Sequence, residues 1–268
     1  MKKTAFYHIY LTDEPSWTYT FLDQFKTLND TGLDKEIDTI YISSVGSRES
    51  TDMLKYILGY HHYLFNFKYI HNWVEKDYND VELRRIDKSP AIVTEDICLN
   101  LLWKYCKNLE KNEHILYFHS KGITSLNRNL NINSIEYSPV KFVNYFYWRK
   151  FLDWSVMEKK NECWNQLTNY DTAGSNYSKW PTPHYSGGYW WANSDYIKTL
   201  NDPYDNKWWS YYREINPVLK EMSPRLRSEL WIGSGKSPKM YSLFNHKSPP
   251  PKSNLGDMII TKKEYENK

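Results

Sequence analysis

An α/β fold with a mostly parallel central sheet flanked by helices is predicted by three features of this 268-residue chain. Its first half alternates strand-like and helix-like segments. One strand, in the stretch HILYFHSKG at residues 114–122, stops abruptly in three polar residues and a glycine. Hydrophobic residues make up 40% and charged residues 25%, the balance of a globular chain long enough to bury a sizeable core.

The elements follow in order. Residues 5–11, AFYHIYL, read as a first strand. Ser16 stands where a cap is needed for a helix over 17–29, with Phe21, Leu22, Phe25 and Leu28 at helical spacing. Residues 39–43, TIYIS, form a second strand that Gly46 closes. A helix over 52–63, a short strand over 67–71 and a charged, irregular stretch over 75–89 come next. Thr94 caps a strong helix over 95–110, whose first acidic residues, Glu95 and Asp96, suit its positive end. The HILYFHSKG strand follows directly. Right-handed crossovers place the ends of such strands on one side. Tyr10 to Thr12, Ser44 to Gly46 and His119 to Lys121 should therefore converge, at the edge where open α/β sheets bind ligands.

The second half has another texture. Residues 125–138 are Asn-rich and loop-like, and 139–170 read as one or two helices. The run YSGGYWWA at 185–192 is aromatic with paired glycines, and 226–232 is a short element carrying Glu229. Residues 247–268, with three consecutive prolines, read as a loose tail. With no repeat and no clear linker, residues 1–246 are expected to form a single domain.

Composition narrows the partners. Aromatic residues reach 17%, with 24 Tyr and 12 Trp, faces that suit sugar rings and nucleobases alike. The net charge is +3 and no run of five Lys/Arg occurs, which argues against a nucleic-acid binder. Three cysteines, Cys98, Cys106 and Cys163, form no C-x-x-C pair and are expected as reduced thiols in the cytoplasm. The N-terminus has no long apolar h-region and meets acidic residues at Asp13 and Glu14, so no signal peptide is expected, and no apolar stretch approaches 18 residues, so no membrane span is expected.

Four clusters carry the chemistry. His119, Ser120 and Lys121 at a strand end are a plausible grip for a phosphate-bearing ligand, against the plain alternative of a solvated strand exit. No Asp-x-Asp stands there to hold a metal, and Asp77 and Asp80 follow no strand. A lysine can offset leaving-group charge directly, and a divalent metal bound through His119 is the competing option. The HYSGGYWWA run is either the floor of a ligand site or an aromatic core strand with a bulge at Gly187-Gly188. Glu229, in the apolar context of RLRSELWI, is either a general base or a salt-bridged structural glutamate. Asp171, in NYDTAGSN, lines the site or shapes the turn near Gly174.

Together, YFHSKG, Trp148-Arg149, YDTAGSN, HYSGGYWWA and an R-x-x-x-E-x-W-I element starting at Arg225 resemble the GT-A-type glycosyltransferases of bacterial polysaccharide clusters and large DNA viruses, including chlorovirus capsid-glycan enzymes. The resemblance spans residues 7–232, and Gly188 stands where the common motif has asparagine. It implies one GT-A-like domain with a Rossmann-like nucleotide-sugar half, 1–124, and an acceptor half, 125–246. It implies transfer of a hexose or deoxyhexose from a UDP- or dTDP-type diphosphate donor to a glycan hydroxyl, with inversion preferred and Mn or Mg dependence open. Tyr10, Thr12, Gly46, His119, Ser120 and Lys121 would bind the donor. Tyr185, Gly187, Gly188, Trp190, Trp191 and Asp171 would bind the acceptor. Glu229 would be the base, with Lys121 beside the leaving group. Two other readings compete: a non-catalytic carbohydrate-binding protein, and a single-stranded nucleic-acid binder, which the modest charge disfavours.

Overall fold

The computed structural model describes residues 1–11, 16–46, 48–61, 69–72, 95–121, 139–221, 226–245 and 262–266. Among the described residues, seven strands form the central sheet: β1 (Lys3–Tyr10), β2 (Thr39–Val45), β3 (Tyr69–Asn72), β4 (His114–His119), β5 (Thr172–Gly174), β8 (Trp190–Asn193) and β9 (Met240–Ser242). Their order is β3-β2-β1-β4-β8-β5-β9, and β6 (Tyr177–Ser178) pairs with β7 (His184–Tyr185) in a separate ribbon. The strands β1 to β4 are parallel to one another, as the alternation of elements predicts. Beyond β4 the sheet is mixed, because β8 runs antiparallel to both β4 and β5. The second half has no strand–helix alternation from which that direction can be read.

Side chains alternate between two cores, as the two-residue period of a strand requires. Ala5, Tyr7, Ile9, Ile40, Ile42, Leu116, Phe118 and Trp191 face one side. The helices Trp17–Asp30, Arg48–His61 and Pro139–Asp153 and the π-helical turn Trp154–Glu158 cover it. Phe6, Ile115, Tyr117, Trp190 and Ala192 face the other side. The helices Glu95–Lys107, Ser194–Thr199 and Leu226–Leu230 lie there. Each large apolar side chain fully buried in these layers stabilises the fold by about 1.5–3 kcal/mol. Leu22 is an exception to the spacing rule and stays 38% exposed on the outer side of its helix.

The expected loose tail is corrected at its last described element. Lys262–Glu266 is helical, and its Tyr265 is buried against Phe151 and Trp154, with ring centres 5.3 Å and 4.8 Å away. One aromatic ring is enough to dock a short segment, and the charges around it hid that signal. Cys98, Cys106 and Cys163 are all free and buried, and burial pushes each thiol up from its ordinary pKa. Among the described residues, no helix is long and apolar enough to cross a membrane.

Register decides what gathers at the carboxyl edge. Parallel pairing aligns His8 with both Ser43 and His119, so β1, β2 and β4 finish together. Because β8 is antiparallel, its first residue, Trp190, lies beside Tyr117 near that same edge. The turn at Gly187-Gly188 is thereby brought to the end of β4.

Candidate functional site

The corner after β4 is built from backbone hydrogen bonds. The Ser120 amide donates to the His8 carbonyl at 2.9 Å, and the Lys121 amide donates back to the His119 carbonyl at 2.9 Å. Ser120, expected to touch a donor, instead accepts from the Tyr10 amide through Oγ at 3.0 Å. It is a buried staple between β1 and β4. The His119 ring is buried, with Nδ1 3.8 Å from Glu95 Oε2 and its centre 5.0 Å from that of Tyr189. Lys121 is half-buried, and its ammonium lies 4.6 Å from the centre of the Trp148 ring, a cation–π position.

The turn after β7 closes over this corner. The Gly188 amide donates to the Tyr185 carbonyl at 2.9 Å. Gly187 and Gly188 have φ of +102° and +74°, where side-chain-bearing residues are strained. A Cβ on Gly187 would lie 2.6 Å from Leu152 Cδ1, and one on Gly188 would lie 3.2 Å from His119 Cε1. Asparagine tolerates the φ of position 188, but its Cβ would press on the His119 ring. Glycine at that position goes with the close approach of His119.

Glu229 meets the same turn. Its Oε1 accepts from the Gly187 amide, and the residue is half-buried on the helix Leu226–Leu230. That helix is locked to the start of the helix Glu95–Lys107. Ser228 Oγ donates to Asp96 Oδ1 at 2.5 Å, and Arg227 Nε lies 3.6 Å from Asp96 Oδ2. Burial pushes the Asp96 carboxyl up to about 6, against the opposing pull of Arg227 and the Ser228 hydrogen bond.

Several expected site residues lie elsewhere. Tyr185 is fully buried, with its hydroxyl bonded to Thr172 Oγ1 at 2.9 Å and donating to the Tyr241 carbonyl at 2.8 Å. Trp190 packs between Tyr117 and Trp231, and Trp191 donates through Nε1 to the Val156 carbonyl at 2.8 Å. These three rings are core, not an acceptor floor. Helices cover both faces of the sheet, so alternating side chains on β8 point into one interior or the other. Asp171 sits at the start of β5, on the opposite edge, where Oδ2 accepts from the Lys239 amide at 2.8 Å. It anchors β9 and does not line the site. Gly46 is explained by chain crossing, since a Cβ there would fall 2.4 Å from the Leu11 carbonyl oxygen. Tyr10 is half-buried at the edge and packs on Val45, Ile97 and Leu101. Thr12, Asp77, Asp80 and Arg225 lie outside the described residues.

Sequence reasoning missed the polar groups that hold the corner from beneath. Gln24, Asp153, Tyr189 and Arg149 form a buried cluster below His119. Burial pushes Asp153 up to about 6, opposed first by Arg149 and then by the Gln24 hydrogen bond. A signal was present: Gln24 falls on the apolar stripe of its helix, between Phe21 and Leu28, where a polar residue needs a buried partner. Among the described residues, no three His, Cys, Asp or Glu side chains are grouped to hold a metal ion.

No curated protein sequence matches the chain. Among solved structures, the chain is similar to 4-diphosphocytidyl-2C-methyl-D-erythritol synthase from Anaerococcus prevotii DSM 20548 at 12% identity. That superposition covers 98% of this chain and 95% of the other, but loosely, with a TM-score of 0.37. A family model matches residues 6–239, and the chain belongs to that family, described as a domain of unknown function, DUF8361.

Proposed function

We propose that this chain is a GT-A-like glycosyltransferase that moves a hexose or deoxyhexose from a nucleotide-diphosphate sugar to a glycan hydroxyl. One observation carries the reading: the Lys121 corner, the Gly187-Gly188 turn and the Glu229 carboxylate meet at the carboxyl edge of the sheet. The nucleotide would lie over the ends of β1 and β4, beside Tyr10, where the strand order reverses.

Each group then has a chemical task. The Lys121 ammonium stands as a point charge against the diphosphate and stabilises it as the C–O bond to the sugar breaks. Glu229 Oε1 is held by the Gly187 amide, which leaves Oε2 to accept the proton of the attacking hydroxyl. As its proton passes to Oε2, the acceptor hydroxyl oxygen attacks the anomeric carbon opposite the departing diphosphate, and the product is inverted. The described donors do not suit a Mn or Mg ion. His119 and Glu95 offer one nitrogen and one carboxylate, whereas such ions take a shell of oxygens. No step is therefore assigned to a metal. The carbohydrate-binding alternative is weakened, because the rings it needs as platforms, Tyr185, Trp190 and Trp191, are interior.

A thermal-shift screen of UDP and dTDP, with and without Mn²⁺, tests this. A true donor fragment raises Tm by mass action, and Lys121→Ala should remove the rise. A protein whose Tm ignores both nucleotides is not a transferase of this kind.

A further inference from the structure

The carbonyl of His119 is the last of β4 and is held by an unusual set of donors. It accepts from the Tyr189 hydroxyl, from Gln24 Nε2 at 3.2 Å and from the Lys121 amide at 2.9 Å. Gln24 is fully buried and fully engaged. Its Oε1 accepts from Tyr7 at 3.0 Å, while the two N–H bonds of Nε2 are shared among the His119 carbonyl, Asp153 Oδ1 at 3.1 Å and the Tyr189 hydroxyl at 2.9 Å. The Asp153 carboxylate fixes which way the amide points, since the reverse orientation would set two oxygens against each other. Burial raises the Tyr189 hydroxyl well above its ordinary pKa, so it remains a donor at every working pH. Arg149 completes the frame, donating to Thr20 at 3.0 Å and to Asp23 at 2.8 Å.

Two features make this more than ordinary core bonding. The three donors meet on a carbonyl only two residues before Lys121, at the point where the chain leaves the sheet. Tyr189 also belongs to the turn that Glu229 grips at Gly187. One three-residue turn therefore touches both the lysine corner, through Tyr189, and the candidate base, through Gly187.

We propose that Tyr189 and Gln24 are positioning residues, which act through the His119 carbonyl to fix the direction of Lys121. The inference rests on the reading of Lys121 as the diphosphate-binding group. The two residues touch no ligand themselves. They hold a carbonyl, the carbonyl holds the Lys121 amide, and the tight corner at Ser120 aims the lysine over Trp148.

The experiment is a double-mutant cycle read by calorimetric titration of UDP and of inorganic pyrophosphate, which carries no base. Tyr189→Phe removes one oxygen and keeps the ring in place. Gln24→Leu is the second variant, should the first fail to fold. Each should weaken both probes about tenfold. In a Lys121→Ala background the same substitutions should change affinity less than about twofold, because no lysine is left to aim. Wild-type affinity for pyrophosphate in a folded Tyr189→Phe protein, alongside a loss in Lys121→Ala, would overturn the positioning role and leave the lysine reading intact. Equal losses in both backgrounds would overturn it too and mark the two residues as merely structural. If Lys121→Ala binds both probes as the unmodified protein does, the lysine reading fails and the inference fails with it.

Discussion

On one face of the sheet, Gln24 and Asp153 brace the corner that carries Lys121; on the other, Asp96 and Ser228 brace the helix that carries Glu229. Both braces are built round a buried aspartate whose pKa is raised to about 6, and burial is the main cause in each. They differ in what they grip. The first grips a backbone carbonyl, because Lys121 rides on the end of a strand whose path the sheet already sets. The second grips a side chain, because Leu226–Leu230 has only five residues and too few internal bonds to hold itself. They also differ in how well the charge is met. Asp96 has a hydroxyl at 2.5 Å and a guanidinium at 3.6 Å. Among the described residues, Asp153 Oδ2 makes no hydrogen bond, and it lies 4.0 Å from Arg149 Nε.

The contrast breaks most sharply at the two functional side chains. Glu229→Gln should lower turnover by about 10²–10⁴ and keep UDP binding within about twofold, since only proton transfer is lost. Lys121→Ala should lower turnover and weaken UDP binding together. Steady-state rates on a working donor–acceptor pair, with titration of UDP, separate the two. A Glu229→Gln protein with full turnover removes the glutamate as base.

The braces come next. Asp96→Ala leaves Arg227 and Ser228 buried without their shared partner, at a cost of about 3–5 kcal/mol in urea unfolding. Asp153→Asn should cost less at neutral pH, since the amide keeps an oxygen for Gln24 and gives up a charge that is poorly met. Equal losses would show that the two aspartates are equally well compensated.

Acid sharpens the comparison further. Folded Asp153 takes up its proton near pH 6 and the unfolded chain only near 3.8, so this group adds stability as pH falls through that window. A rise from 3.8 to about 6 corresponds to about 3 kcal/mol. The charged neighbours of Asp153 are Arg149, Lys150 and Asp23. His114 acts the other way. Burial, helped by Lys3 and the amino terminus, lowers it to about 4, so its contribution is lost as pH falls from 6.5. Both His114 and Asp96 remain in Asp153→Asn, so the difference in Tm between that variant and the wild type isolates Asp153. The wild type should gain on the variant as pH falls from neutral to about 4, and a flat difference would place the pKa of Asp153 near its ordinary value.

Much of the first half was legible because its signals are local. Strand–helix alternation predicts β1 to β4, and parallel pairing then brings Tyr10, Gly46 and His119 to one edge. The meeting of Gly187 with Glu229 was legible only as two separate motifs, 42 residues apart, with nothing local to join them. The aromatic run misled for a physical reason. Tyr185, Trp190 and Trp191 have polar edges that mimic a binding surface, yet each edge finds an interior partner or neighbouring ring. Asp171 misled because direction cannot be read from a three-residue strand: β5 starts at the far edge, so a residue next to its start faces away from the site.

The smallest expected effect tests how tightly the two braced parts meet. Gly188→Ala adds a Cβ at a φ of +74° and 3.2 Å from His119 Cε1, and should cost about 1 kcal/mol for the backbone alone. Gly188→Asn relieves much of that backbone cost, since asparagine visits this region readily, but leaves the clash with His119 in place. Comparing the two by urea unfolding and by UDP affinity separates backbone strain from pressure on the ring. If Asn restores stability while UDP affinity stays low in both, the histidine's position matters to the ligand. If Asn restores both, His119 yields freely, and the glycine is there for the turn alone.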